Sequence, residues 1–140
     1  MATIKTFEEL EVWQESRKLS KEIYDHTQKG SFKMDYSLIT QINKSTGSIM
    51  DNIAEGFERD GTREFVQFLS IAKGSCGEVR SQLHRASDRG HLSQDDFLIL
   101  HEQCLKIIRM IRGLMRYLRS TDMKGFKFED TSDTYNPTTP

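Results

Sequence analysis

The segment DNIAEGFERDG, residues 51–61, sets an amide and a carboxylate three positions apart, Asn52 and Glu55, and follows them directly with Gly56. Positions three apart share a face of a helix, so the two side chains can serve one partner. One chemistry that suits them is a polar ligand site, the weak basis for any enzymatic reading. The other is a corner lock. Glu55 would accept from backbone donors at the start of the next helix or pair with Arg59 or Arg63. Asn52 would satisfy a buried polar group across the fold, and Gly56 would admit a neighbour where a side chain clashes. The corner lock is the reading adopted, with Asn52, Glu55 and Gly56 as a structural motif.

A second pattern lies near the C-terminus. Lys106, Arg109, Arg112, Arg116 and Arg119 are separated by 3, 3, 4 and 3 residues. At about 100° per residue the four arginines fall in a narrow arc, with Lys106 at its edge. Such a stripe fits the phosphates of a nucleic acid. Beyond Tyr117 it carries little aromatic interleaving, so backbone contact is expected rather than base stacking or sequence readout. The same stripe fits a paired face. An earlier segment carries Glu8, Glu9, Glu11, Glu15, Glu22 and Asp25, and cations are favoured near a helix C-terminus by roughly 0.3–1 kcal/mol each.

Other chemistry is excluded by spacing. His26, His84, His91 and His101 include no HExxH and no pair at metal-ligand spacing with carboxylates, and Glu55 lacks a Glu-x-x-His partner. The glycines of EGFERDG have neither P-loop nor dinucleotide spacing, and no GxSxG occurs. No catalytic residue, metal or cofactor is expected. Cys76 and Cys104 lie in helical patterns without CxxC spacing, as buried free thiols of a reducing compartment do. The formal net charge of −1 gives no global attraction to polyanions, so any attraction must come from local segregation of charge. The N-terminus lacks a signal-peptide core, and no apolar run approaches the ~18 residues of a membrane span. A cytoplasmic location without membrane contact is therefore expected.

These groups must be positioned by helices. No proline precedes Pro137, so breaks are marked by glycines and caps. Thr6 and Glu9 form a capping box for a first helix with Leu10, Trp13, Arg17 and Ser20 on one flank, widened by Val12, Leu19, Ile23 and Tyr24. Its course ends near Gly30. A second helix from about Asp35 carries the seam Leu38, Ile42, Ser45, Ile49 and Ile53, with Gly47 placed for a packing reason. A third opens at Thr62, a candidate N-cap, repeats apolar residues from Phe65 to Ala86 and ends at Gly90. A fourth, capped by Ser93, runs to about Arg119. Its apolar arc spans about half the circumference, which suggests burial plus a further, intersubunit contact. Short connections between long helices predict an all-α, antiparallel up-down-up-down four-helix bundle over residues 1–119. Residues 120–140 read as a disordered tail whose Phe126, Phe128 and Tyr135 suit docking in a groove.

The blocks FEELEVWQ (7–14), SIMDNIAEG (48–56) and EFVQFLSIAKGSCGEVRSQL (64–83) resemble the four-helix bundle family of ribosomal RNA intervening-sequence proteins, over roughly residues 7–119. Met50 departs from a proline common there, which bears on a local helix bend. The resemblance implies a left-handed up-down bundle that assembles as a ring-like homopentamer, with no established catalytic residues. A similar bundle is an accessory protein to the reverse transcriptase of diversity-generating retroelements, where a basic surface binds nucleic acid. The function expected is a non-enzymatic oligomeric scaffold or accessory factor that binds structured RNA through Lys106, Arg109, Arg112, Arg116 and Arg119. The alternative is a protein-interaction module without a nucleic-acid role.

Overall fold

The computed structural model describes residues 4–121. Its four α-helices are α1 (Glu11–Thr27), α2 (Tyr36–Glu58), α3 (Thr62–Asp88) and α4 (Gln94–Ser120). Each packs on its neighbour in chain order and α4 returns against α1, so the predicted up-down bundle is the observed one. No strand occurs among the described residues. α4 extends through Ser120, one residue beyond the expected boundary, and the tail with Phe126, Phe128 and Tyr135 lies outside the described residues.

The period of the apolar residues builds the core. Leu38, Ile42, Ser45, Ile49 and Ile53 are all buried on α2, which continues unbroken through Met50. Phe65, Leu69, Ala72, Cys76, Val79, Leu83 and Ala86 are buried on α3. The broad arc of α4 is largely consumed within the chain. Eleven of its residues are buried, while Ile99 remains 56% exposed beside Leu98 at 52%.

α1 departs from the expected flank. Its buried line is Val12, Ser16, Leu19, Ile23 and Thr27, whereas Arg17 and Tyr24 face out. Two hydroxyl residues replace aliphatic ones in this seam because each satisfies itself locally. Ser16 Oγ donates to the Val12 carbonyl at 2.7 Å and Thr27 Oγ1 to that of Tyr24 at 2.6 Å. Trp13 is half-buried, packed edge-on against Phe7 with ring centroids 5.2 Å apart.

The caps are partly displaced. Glu9 does reach back to the Thr6 N–H at 3.3 Å, but this box closes only a 3-10 turn, Phe7–Glu9. Leu10 is extended, and α1 starts after it. At α3 the N-cap is Gly61 and Thr62 is already helical, so the Thr62 cap is not formed. Ser93 and Asp35 do cap, accepting from the Asp96 N–H at 3.1 Å and the Leu38 N–H at 3.3 Å. Gly90 takes φ +75°, the left-handed turn expected after α3.

Asp35 also ties two connections together. Its Oδ2 lies 2.9 Å from both Arg89 Nη1 and His91 Nε2. An ionised carboxylate can only accept, so Nε2 carries the proton, and in the neutral ring Nδ1 accepts from Ser31 Oγ at 2.8 Å. The imidazole stacks on Phe32 with centroids 5.1 Å apart. These bonds, His91 first and Arg89 second, hold the Asp35 carboxyl at about 2, below its ordinary 3.8. A lowered folded-state value contributes stability above the unfolded value, and that contribution disappears as pH falls toward the folded one. The stability gap between wild type and Asp35→Asn should therefore be widest above pH ~4 and narrow between pH ~4 and ~2, as read by urea midpoints.

Two glycines of α2 are opposites. A Cβ on Gly56 would sit 2.7 Å from Phe68 Cβ and 2.9 Å from Phe65 Cδ1, so the expected close approach is real. A Cβ on Gly47 would meet nothing within 4 Å, so the packing reason expected for Gly47 is not found among the described residues. Gly56→Ala should lower stability by about 1–3 kcal/mol through overpacking. Gly47→Ala should raise it by up to about 1 kcal/mol through helix propensity. Denaturant titration of the two variants gives opposite signs if this packing is right.

Candidate nucleic-acid interface

The cationic stripe of α4 divides in two. Lys106 Nζ lies 3.4 Å from Glu15 Oε1 on α1, and Arg109 Nη2 lies 3.2 Å from Glu102 Oε1 one helical stretch earlier. Arg112, Arg116 and Arg119 are exposed and have no ion-pair partner among the described residues. The carboxylates of α1 thus engage the stripe only at Lys106. Glu22 instead accepts from Gln103 Nε2 at 2.7 Å, Asp25 pairs with Lys21 at 3.3 Å, and Glu9 is occupied by backbone donors.

α3 completes the unpaired half. Lys73 and Ser70 line a recess of about 300 Å³ together with Arg112, Met115, Arg116 and Arg119. An adjoining recess of about 450 Å³ is lined by Thr62, Arg63, Val66, Gln67, Leu118, Arg119 and Thr121. Arg119 is common to both, and the buried Thr62 Oγ1 beside the second has no partner. The seam between α3 and α4 therefore gathers Arg63, Lys73, Arg112, Arg116 and Arg119. Further along it stands Arg80, whose buried Nε is also unpartnered. Arg63, Lys73 and Arg80 were missed in the sequence. Lys73 and Arg80 are seven residues apart, two helical turns, and that register signals a shared face of α3.

Such an arrangement can hold anions. Several fixed positive charges on two adjacent helices, with no ion-pair partner among the described residues, raise the local potential above that of a chain with net charge −1. Cys76 Sγ lies 3.4 Å from the Cys104 carbonyl, both cysteines are buried, and the contact with Cys76 together with burial raises the Cys104 thiol far above its ordinary value. It stays a thiol, neither nucleophile nor ligand. No group of three or more metal-ligating side chains occurs among the described residues. Nor is any described helix long and apolar enough to cross a membrane.

The family model for the 23S rRNA-intervening sequence protein matches residues 8–113, well over half of the chain. The chain belongs to this family. No curated protein matches it. Within this intervening-sequence protein the match spans α1 to α3 and the first part of α4. Arg63, Lys73, Arg80 and Arg112 fall inside it, and Arg116 and Arg119 fall beyond it.

The Asn52–Glu55 pair is not one site in this intervening-sequence protein. Glu55 is exposed and bridges Arg59 at 3.1 Å, four residues along its own helix. Asn52 Nδ2 donates to the Ser48 carbonyl at 2.8 Å and to Ser48 Oγ at 3.0 Å. Ser48 Oγ then meets Ser75 Oγ at 2.8 Å, which links α2 to α3. The lock exists, but its members are Asn52, Ser48, Ser75 and Gly56. Glu55 takes the expected alternative of pairing with Arg59 and forms no ion pair with Arg63 among the described residues. Asn52→Ala should cost about 1–2 kcal/mol, since it frees a half-buried hydroxyl pair, whereas Glu55→Gln should change stability by less than about 0.5 kcal/mol. Thermal or urea unfolding of both variants checks the difference.

Proposed function

We propose that this intervening-sequence protein is a non-enzymatic scaffold or accessory factor that holds structured RNA along the α3–α4 seam. The observation that carries this reading is the trio Arg112, Arg116 and Arg119 facing Lys73 around one recess, without a carboxylate partner among the described residues. Like charges at three- and four-residue spacing repel on a helix, so the trio is disfavoured until an anion arrives. From Arg63 to Arg80 the seam runs along 17 residues of α3, about 25 Å at 1.5 Å per residue. That is long enough for several consecutive phosphates. The contacts are to backbone charge and bring no base discrimination of their own.

Self-association belongs to the same proposal. Leu98 and Ile99 stand exposed beside a recess of about 420 Å³ with Glu102, Gln103, Lys106 and Arg109. This patch lies near the paired half of the stripe, away from Arg112, Arg116 and Arg119. An oligomer, pentameric as the sequence resemblance implies, would repeat the free half and raise avidity without new contacts. Such a scaffold suits an accessory role beside a nucleic-acid enzyme such as a reverse transcriptase.

Anisotropy titration of an RNA hairpin across salt concentrations tests the assignment. The triple variant Arg112→Gln, Arg116→Gln, Arg119→Gln should weaken binding at low salt and flatten the log–log salt slope by about 0.7–0.9 per lost contact. Arg109→Gln, in the paired half, should leave the slope nearly unchanged. A wild-type slope that survives the triple substitution would move the binding surface elsewhere. No binding at about 50 mM salt would favour the protein-interaction alternative.

A further inference from the structure

We infer that the α3–α4 seam ends in a seat for one unpaired nucleobase, formed by His84, Phe97 and His101 beside Arg80. The inference rests on the nucleic-acid reading and adds to it a preference for RNA that carries an unpaired nucleotide. Three rings from two helices meet there. The His84 centroid lies 4.9 Å from that of Phe97 and 5.4 Å from that of His101, and Phe97 lies 5.3 Å from His101. Phe97 is buried and fixes the cluster from below, His101 is half-buried, and His84 is exposed. The result is an aromatic ledge with one open ring, His84, set against the buried Phe97.

The chemistry of the ledge fits a base better than a phosphate. Burial first, then the charges of Arg80 and His84, push His101 toward its neutral form, against a smaller opposing effect of Glu102. His101 therefore presents a π-face rather than a cation. Arg80 stands close enough to act on both His101 and Cys104, and it has no ion-pair partner among the described residues. A guanidinium beside two imidazoles that meet edge-to-face offers a splayed RNA base both kinds of plane, since aromatic and Arg planes both stack with bases. Its place on the seam matters as much. On α3, Lys73 and Arg80 are seven residues apart and His84 follows four later, so one strand following the cations arrives at the rings. A duplex could satisfy the arginine recess but could not lay a paired base on His84.

Two RNA hairpins separate a base contact from added charge. Both carry the same three-nucleotide single-stranded overhang, one with adenines and one abasic, so their phosphates are equal. Stacking contributes about 1–3 kcal/mol per base, so the adenine overhang should bind at least about fivefold tighter. His84→Ala should erase that advantage and leave affinity for the abasic hairpin unchanged. His84→Phe, which keeps a stacking plane and removes the titratable ring, should retain it. A 2-aminopurine placed in the overhang should be quenched by wild type and by His84→Phe, and not by His84→Ala. Equal binding of the two hairpins to wild type overturns the base seat while leaving the phosphate seam intact. An equal loss for both hairpins in His84→Ala also overturns it, because it marks a structural effect. Failure of both hairpins to bind would overturn both readings together.

Discussion

A helix packed between two neighbours has only one open strip, and α4 is held in that position by α1 and α3. Its buried residues Leu100, Cys104, Ile107, Ile111, Leu114 and Leu118 recur at three and four, with Ile108, Met110, Gly113 and Met115 filling the flanks. Together they leave little circumference for anything else. Charges placed on α4 at helical spacing are therefore forced into one line. The apolar pattern that folds the bundle and the cationic pattern that gives it a surface are the same constraint seen from opposite sides of one rod. Any register change that moved a core residue outward would also scatter the arginines.

What that line then does depends on its neighbours. Where α4 runs beside Glu15, the cation is matched, and Glu102 matches the next one from within α4 itself. Past Arg109 the stripe forms no ion pair among the described residues, and the facing residue on α3 is another cation, Lys73. Surface pairs contribute little, with a median near 0–1 kcal/mol, so the paired half is not strongly stabilised by its bridges. The contrast is in availability: a matched cation must give up a partner before it meets a phosphate, and the unmatched ones need not. The division follows from where the α1 carboxylates lie along the bundle, a property of packing rather than of α4 alone.

The fold was largely legible because its signals are local and repeat. The seams of α2 and α3 could be read residue by residue, and Ser93 and Gly90 mark their breaks by known chemistry. α1 was legible in part: Val12, Leu19 and Ile23 are buried as expected, but Ser16 and Thr27 are polar by type yet buried by virtue of bonds to their own helix. The candidate site was legible only in its α4 half. Which cations lose their freedom to Glu15 or Glu102 is decided across helices, and so is the meeting of His84 with Phe97 and His101. The same holds for the tie of Asp35 to Arg89 and His91, which joins two loops more than fifty residues apart. Glu55 shows the converse. Its spacing to Asn52 was read correctly, but sharing a helical face did not bring the two side chains to one partner.

Several features of the chain work against its own stability, and they are not spread at random. Gly47, Gly74 and Gly77 occupy helix interiors where a Cβ would meet nothing within 4 Å, and each costs about 1 kcal/mol against alanine. Arg112, Arg116 and Arg119 repel one another at i, i+3 and i, i+4. Ile71, Leu98 and Ile99 leave large apolar side chains more than half exposed. The core, with twenty-nine buried apolar residues in one cluster, can bear these costs, so folding does not select against them. Folding does not explain them either. In a sequence otherwise consistent from cap to core, the positions that break a local rule without a compensation among the described residues are where a further contact would restore the balance. For the arginines the compensating group must be an anion. For the exposed aliphatics it must be another apolar surface. On the proposed reading, that difference in chemistry separates an anion-holding face from an apolar contact face.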